Sequence, residues 1–433
     1  MTVQSEAEMR KLALTSLAGT SIEWFDFFLY GTAAALVFPV LFFSEDMPRY
    51  VSLIASFSTF AVGFLARPLG GVIFGHYGDR FGRKKALIIA LTLMGASTTL
   101  IGLLPTYSQI GFLAPLLLVF FRFIQGLAVG GQWGGAMLLV TENAPANRRG
   151  FYGAFAQAGA PTGLVLANLA FIAVSTSVSE QDFMSWGWRL PFVASIVLIA
   201  LSLYIQLTIE DTEVFRRLSS SARESKQEVQ KSPVIRVVKQ YPREILLAAG
   251  AFLAVQVSFY IFVTFAIAYG TDYGGVGLSE TEMLLAVLVS SAMQIPGVFY
   301  FSHLSDRIGR RKIYMAGAIL MGGWSFVVFP LMDTGSIPLI VLGLGVAQII
   351  ISMMYGPQAA MLAELFATEV RYSGASLGYQ LGAIVGGGAA PIVATAILAS
   401  TGETIGISIY IALASLVTWV SIFLLKETNT RSL

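Results

Sequence analysis

The sequence predicts an all-α membrane protein of twelve transmembrane helices, arranged as two pseudo-symmetric six-helix bundles. Three observations carry that expectation. The 433 residues are 56% hydrophobic and 12% charged, against roughly 25% charged in soluble domains, and the mean hydropathy is +0.74. So much apolar surface cannot be hidden in one soluble core. Apolar runs long enough to cross a bilayer, about 20 residues each, recur between turn-rich or charged breaks. The two halves of the chain also carry matching motifs.

The runs fall at 14–42, 50–76, 86–105, 111–140, 150–177 and 189–209, then at 244–270, 282–303, 312–332, 337–363, 373–400 and 405–425. Ahead of the first, MTVQSEAEMRK is polar and partly acidic, with no small-residue cleavage pattern after a short apolar core. That run is therefore read as a retained helix and not a removed signal peptide. Between the sixth and seventh runs lies a polar stretch of mixed charge, EDTEVFRRLSSSARESKQEVQKSPVIRVVKQYPRE, read as a linker able to hold a short surface helix. The expected domains are thus 1–210, a cytoplasmic linker at 211–243, and 244–433.

Basic residues orient the spans. With both termini on one side, only Arg49 and Arg189 fall on the opposite face and only Arg67 and Arg122 fall inside spans; every other Lys and Arg shares the side of the termini. Both termini are therefore expected in the cytoplasm, with the chain in the cell's inner (plasma) membrane. The halves echo each other: GHYGDRFGRKKAL begins at Gly75 and SHLSDRIGRRKIY at Ser302, so Asp79 maps onto Asp306. Glu142 and Arg149 recur as Glu364 and Arg371 with the same spacing, and Gln157 and Gln380 follow on the next span. Two copies of a six-helix unit imply a cavity between halves, the arrangement of alternating access.

Several functions are excluded. Without cysteine there is no disulfide, metal thiolate or thiol nucleophile. Two histidines, far apart and near span ends, make no metal site. No GxxxxGK[ST] stretch is present, so ATP drive has no support. No nucleophile–base constellation suggests an enzyme. No cofactor and no nucleic-acid partner are expected, and the chain is expected to be a monomer.

The motif G-x-x-x-D-R-x-G-R-[KR] after the second span, weakly repeated after the eighth, resembles that of the major facilitator superfamily. EWFDFFLYG, RPLGGVIFGHYGDRFGRKKAL, FRFIQGLAVGGQWGGAMLLVTENAP and SWGWRLPF narrow the resemblance to the metabolite:proton symporters, a branch near the sugar porters that includes permeases for shikimate, 2-oxoglutarate, citrate, proline and betaine. The likeness covers nearly the whole chain and is nearest the shikimate-permease type. It is specific for superfamily and poor for substrate. Ser302 and Ser305 replace the glycines found at 75 and 78, which makes the first-half loop the stronger conformational element.

On one helical face of the first span, Glu23, Asp26 and Tyr30 are spaced i, i+3 and i+7. Counted from Leu14, Asp26 lies roughly 18 Å deep, and Arg122, on the oppositely running fourth span, roughly 17 Å. Both reach mid-membrane, where a carboxylate and a guanidinium offset part of each other's desolvation. The resemblance implies that Asp26 and Arg122 form the proton-coupling pair, because sugar porters place an Asp and an Arg on these spans; whether such a pair is engaged sets the protonation of the acid. The alternative is a static ion pair joining two helices. Glu23 is either a second proton site or a polar lining residue. Arg67 could attract an anionic substrate, but pairing with loop carboxylates or snorkelling is the simpler reading.

Gly126, Gly130 and Gly134 form a close-packing stripe on the fourth span. Polar and amphipathic residues at cavity depth are Tyr30, Gln125, Trp133, Gln157, Gln256, Tyr260, Tyr355, Gln358 and Gln380, with Thr264 extending an i, i+4, i+8 stripe from Gln256. These are the candidate substrate contacts, though each alone could be an interhelical hydrogen bond. Gly75, Gly78, Asp79, Arg80, Gly82 and Arg83, Glu142, Arg148 or Arg149, and in the second half Asp306, Arg310, Glu364 and Arg371, are candidates for a cytoplasmic gate. Here Asp79 would sit at the N-terminus of a partner helix, where the dipole favours an anion. Glu210 and Glu427 resemble the acidic loop motifs of sugar porters.

Function is accordingly expected to be proton-coupled symport of a small organic metabolite, with a carboxylate such as shikimate or a dicarboxylate as first choice. A zwitterionic osmolyte such as proline or betaine is the rival, and a non-transporting membrane receptor the distant one.

Overall fold

A computed structural model describes residues 6–81, 83–130, 137, 140–210, 239–273, 276–366 and 371–428, with the side chains of 75–87, 202, 205–210, 272, 273 and 372 outside the description. Among the described residues, helical rods follow one another as α1 (Glu6–Leu36), α2 (Arg49–Phe81), α3 (Arg83–Gly102), α4 (Leu113–Gly130), α5 (Arg149–Ser175) and α6 (Arg189–Glu210). The second half repeats the series as α7 (Pro242–Tyr260 onward), α8 (Glu280–Ile308), α9 (Arg310–Met332), α10 (Ile337–Leu365), α11 (Arg371–Gly382 through to Ala390–Thr401) and α12 (Ile405–Leu424). Most of the linker expected at 211–243 lies outside the described residues.

Nine of the described helices are long and apolar enough to cross a membrane, and the bent pair Glu180–Gly187 with Arg189–Leu201 makes a tenth. α3 contributes the shorter apolar helix Ile88–Gly102. α1 is diluted by Glu23, Asp26 and the Ser, Thr and Gly residues ahead of them, yet nearly every residue from Gly19 to Leu36 is buried. A helix buried all round is a central one, and α1 packs against α5, α2 and α6 of its own half and α7 of the other.

Local chemistry sets the starts and turns. α8 opens with a capping box in which Ser279 and Glu282 satisfy each other's backbone N–H groups. α9 follows Gly309, whose φ of 102° requires the freedom of glycine. The Glu427 carboxylate, arriving from beyond α12, accepts the Arg310 and Arg311 N–H groups at 2.9 and 3.1 Å and so caps this helix N-terminus.

The halves meet along α5 against α8 and α10, and along α2 against α11. Exchanging the halves converts the α5–α8 contact into α11–α2, which is the symmetry implied by the sequence echo. Within the first half, α2 and α4 approach to backbone contact at Gly63 and Gly126. A Cβ on Gly126 would stand 2.7 Å from the Ala66 Cβ and 2.9 Å from the Gly63 Cα. Gly130 likewise abuts the Arg67 carbonyl, while Gly134 lies outside the described residues. Gly126→Leu is therefore expected to overpack this seam by about 1–3 kcal/mol and to lower the unfolding temperature of the purified protein. An unchanged unfolding temperature would contradict the close approach.

Candidate functional site

Two small cavities lie near the middle of the bundle. One is walled by α1 to α4, through Asp26, Phe27, Gly63, Arg67, Met94, Arg122, Gln125, Gly126 and Val129. Asp26 and Arg122 are each 1% exposed, but they do not pair directly. The Asp26 Oδ1 and the Arg122 Nη2 have no hydrogen-bond partner. They are joined through intermediates: Arg122 Nη1 donates to Gln125 Oε1 at 3.0 Å, Gln125 Nε2 donates to Thr98 Oγ1 at 2.6 Å, and Thr98 Oγ1 lies 3.4 Å from Asp26 Oδ2 as a donor. Every donor in the chain points from the cation towards the carboxylate, so the bonds polarise one another in one direction. The Thr98 hydroxyl is shared, since it also donates to the Met94 carbonyl at 2.9 Å.

The expected direct pair is displaced because aromatic rings hold the guanidinium. Arg122 lies 4.2 Å from the Tyr30 ring centroid, 4.4 Å from Phe27 and 4.8 Å from Phe60, a cation–π cage. Tyr30 is thus no cavity contact: its hydroxyl donates to Thr59 at 2.7 Å, and its ring faces Arg122. Gln125 is the connector and not a free substrate donor. Glu23 is half-buried and forms no hydrogen bond or ion pair with the described residues.

The second cavity lies between the halves. Trp24 and Ala160 come from one side, and Val255, Gln256, Phe259, Tyr260, Gln294, Tyr355 and Tyr379 from the other. Of the expected contacts, Gln256, Tyr260 and Tyr355 line it. Gln157 touches its wall, donating to the Tyr355 carbonyl at 3.0 Å. Gln358 does not reach it: the amide donates to the Tyr314 hydroxyl, which donates to the Ala251 carbonyl, a tie within the second half. Gln380 is buried without lining it, and its neighbour Tyr379 lines it instead. Trp133 lies outside the described residues. Sequence reasoning missed Trp24, Gln294 and Tyr379, and it misread Arg67. Arg67 is 2% exposed, so it does not snorkel, and it forms no ion pair with a described carboxylate.

A charge network closes the bundle where α8 turns into α9. The Asp306 carboxylate accepts the Gly150 and Phe151 N–H groups at 2.8 and 2.9 Å, capping α5 from the other half. Arg310 bonds Asp306 at 2.6 Å and Glu364 at 3.1 Å. Across the halves, Glu142 pairs with Arg371 at 2.9 Å and Glu364 with Arg149 at 3.9 Å. Each acid of the sequence echo thus meets the basic residue of the opposite half. Arg148 is exposed and joins no ion pair among the described residues, which leaves Arg149 as the member on α5. Ser305, standing where the first half has Gly78, accepts from Arg310 through its hydroxyl at 2.7 Å. Gly82 and the side chains of Asp79, Arg80, Arg83 and Glu210 lie outside the described residues, as does side-chain detail around Gly75 and Gly78.

A family model described as sugar (and other) transporter matches residues 12–433. The chain is 39% identical to an inner membrane metabolite transport protein of Escherichia coli, covering 98% of this chain and 95% of that one. It is 38% identical to the shikimate transporter of the same organism, covering 98% and 96%, and 31% identical to its proline/betaine transporter, covering 100% and 86%. Among solved structures, the E. coli xylose transporter in a partially occluded inward-open conformation superposes with a TM-score of 0.72 at 17% identity, covering 99% and 100%.

Proposed function

This chain belongs to the sugar (and other) transporter family, within the major facilitator superfamily, and we propose that it is a proton-coupled symporter importing a small organic carboxylate by alternating access. It is a multi-pass membrane transporter of small molecules and not an enzyme. The observation that carries proton coupling is the directed chain from Arg122 through Gln125 and Thr98 to Asp26. A permanent structural pair would be expected to close on itself. Here Asp26 lines a cavity, with the hydroxyls of Thr98 and Ser195 as its polar neighbours, and it would take up and release a proton there without dismantling the chain.

Protons and substrate would bind in adjoining cavities on either side of α1, which contributes Asp26 to one and Trp24 to the other. The charge network at the α8–α9 end is read as the cytoplasmic gate, formed here, with both termini on that side. Opening it would separate α5 from α8 and α10 and expose the inter-half cavity. Carboxylate preference is supported by the excess of buried guanidinium over carboxylate around the first cavity.

Proteoliposomes carrying an inward pH gradient at clamped membrane potential test the coupling. Labelled shikimate is expected to accumulate above its outside concentration and to leak back on adding a protonophore. Undiminished accumulation with the gradient collapsed would overturn proton coupling.

A further inference from the structure

We propose that Arg67 is the substrate's anion receptor, and that the substrate is a small hydroxylated carboxylate bound between Arg67 and Gln294; this rests on the transport reading above. Arg67 sits on α2 at the seam of the halves. It lines the cavity of Asp26, and its guanidinium also stands beside the phenol groups of Tyr260 and Tyr379, which line the inter-half cavity. Three rings hold the guanidinium, with centroids at 4.5 Å (Phe64), 4.6 Å (Phe27) and 5.6 Å (Trp24).

The decisive feature is which of its atoms lack partners. Nε and Nη2 are both buried without an acceptor. Together they form one edge of the guanidinium fork, the edge that takes a carboxylate through two parallel N–H···O bonds. The phenols of Tyr260 and Tyr379 that bond this guanidinium are neutral, so its buried charge has no described counter-ion, which is strongly unfavourable. The missing acceptor is therefore an anion of planar, two-oxygen geometry, and no described carboxylate supplies it. Rings on one side and tyrosines of the opposite half on the other leave the guanidinium in reach of both bundles, as a group that senses loading must be.

Gln294, on α8, gives the second half of the inference. It is 1% exposed and lines the inter-half cavity, and neither its Oε1 nor its Nε2 has a partner. A buried amide with both ends unsatisfied calls for a group that donates and accepts. A hydroxyl does both; a quaternary ammonium does neither.

Equilibrium binding to the purified full chain in nanodiscs tests this, with three probes: shikimate, its methyl ester and glycine betaine. Shikimate is expected to bind and raise the unfolding temperature, the ester to do neither, and betaine, which keeps a carboxylate for Arg67 but offers Gln294 no hydroxyl, to bind at least about 10-fold more weakly than shikimate. Arg67→Gln is expected to weaken shikimate binding at least about 100-fold while leaving the ligand-free unfolding temperature unchanged or higher, since it removes an uncompensated charge. A purely structural arginine would instead lower that temperature. Arg67→Lys keeps the charge but not the two-point edge, and is expected to lose about 10-fold; it serves also if Arg67→Gln fails to fold. Gln294→Leu is expected to lose about 10-fold for shikimate. Wild-type affinity in either Arg67 variant would overturn the receptor while leaving proton-coupled transport standing. Binding of betaine with no binding of shikimate would overturn the substrate class. The measurement involves no gradient, so failure of coupling in proteoliposomes is a separate result.

Discussion

Asp26→Asn is expected to abolish net uphill uptake while sparing exchange. Asparagine keeps the shape of the side chain and can still accept from Thr98, so the chain through Gln125 to Arg122 has no geometric reason to collapse. It cannot gain or lose a proton. Accumulation driven by a pH gradient should fall to the equilibrium level, whereas counterflow of labelled against unlabelled substrate needs only reorientation of the loaded carrier and should persist. The two assays in the same proteoliposomes separate the outcomes. If the variant still concentrates substrate, Asp26 is not the coupling acid, and Glu23, one turn earlier and without a described partner, is the next to substitute.

Glu364→Gln is expected to be nearly as damaging by a different route. The Glu364 carboxylate is buried and gathers Arg310 at 3.1 Å, Arg149 at 3.9 Å and the Thr428 hydroxyl at 2.8 Å. Removing its charge takes from Arg310 one of its two carboxylates and from Arg149 the Glu364 contact across the halves. Breaking a buried pair from one side costs about 3–5 kcal/mol, which shifts a two-state ratio by about 100-fold or more. The state closed at this end should lose most of its population. Uptake is expected to fall at least tenfold, while equilibrium shikimate binding, whose residues lie elsewhere, changes far less. A cysteine introduced at Ala156, on the α5 face directed into the bundle, should become markedly more reactive to a membrane-impermeant thiol reagent added at this end. Unchanged labelling and transport would show that the network does not hold the gate.

The fold was legible because hydrophobic runs and basic loops are determined locally, and the echo of Asp79 in Asp306 revealed the duplication. Depth was legible too, since counting residues along α1 and α4 is enough to put Asp26 and Arg122 at one level. Azimuth was not. α7 contains a π-helical turn at Ile261–Phe265, and a π-turn shifts the phase of the residues beyond it. Gln256 and Tyr260 precede that turn and face the cavity together, but Thr264 lies within it and faces Gly31 of α1. On α11 the repeat pointed to Gln380, whereas Tyr379 faces the cavity. Arg67 was misread for another reason: a lone Arg near a span end gives no sign in sequence of the three rings that enclose it.

The crossed contacts Glu142–Arg371 and Glu364–Arg149 have one more consequence. In each, an acid of one half meets the base that answers to its own neighbour in the other. This is the form of an isologous contact, in which patch i meets j and j meets i, as at the two-fold axis of a homodimer. Such a surface is complementary to itself: a six-helix unit with these residues could dock on a second copy of itself with no further invention. The two halves are therefore held at this end as two subunits are held, and the linker makes permanent a partnership that the side chains alone could specify.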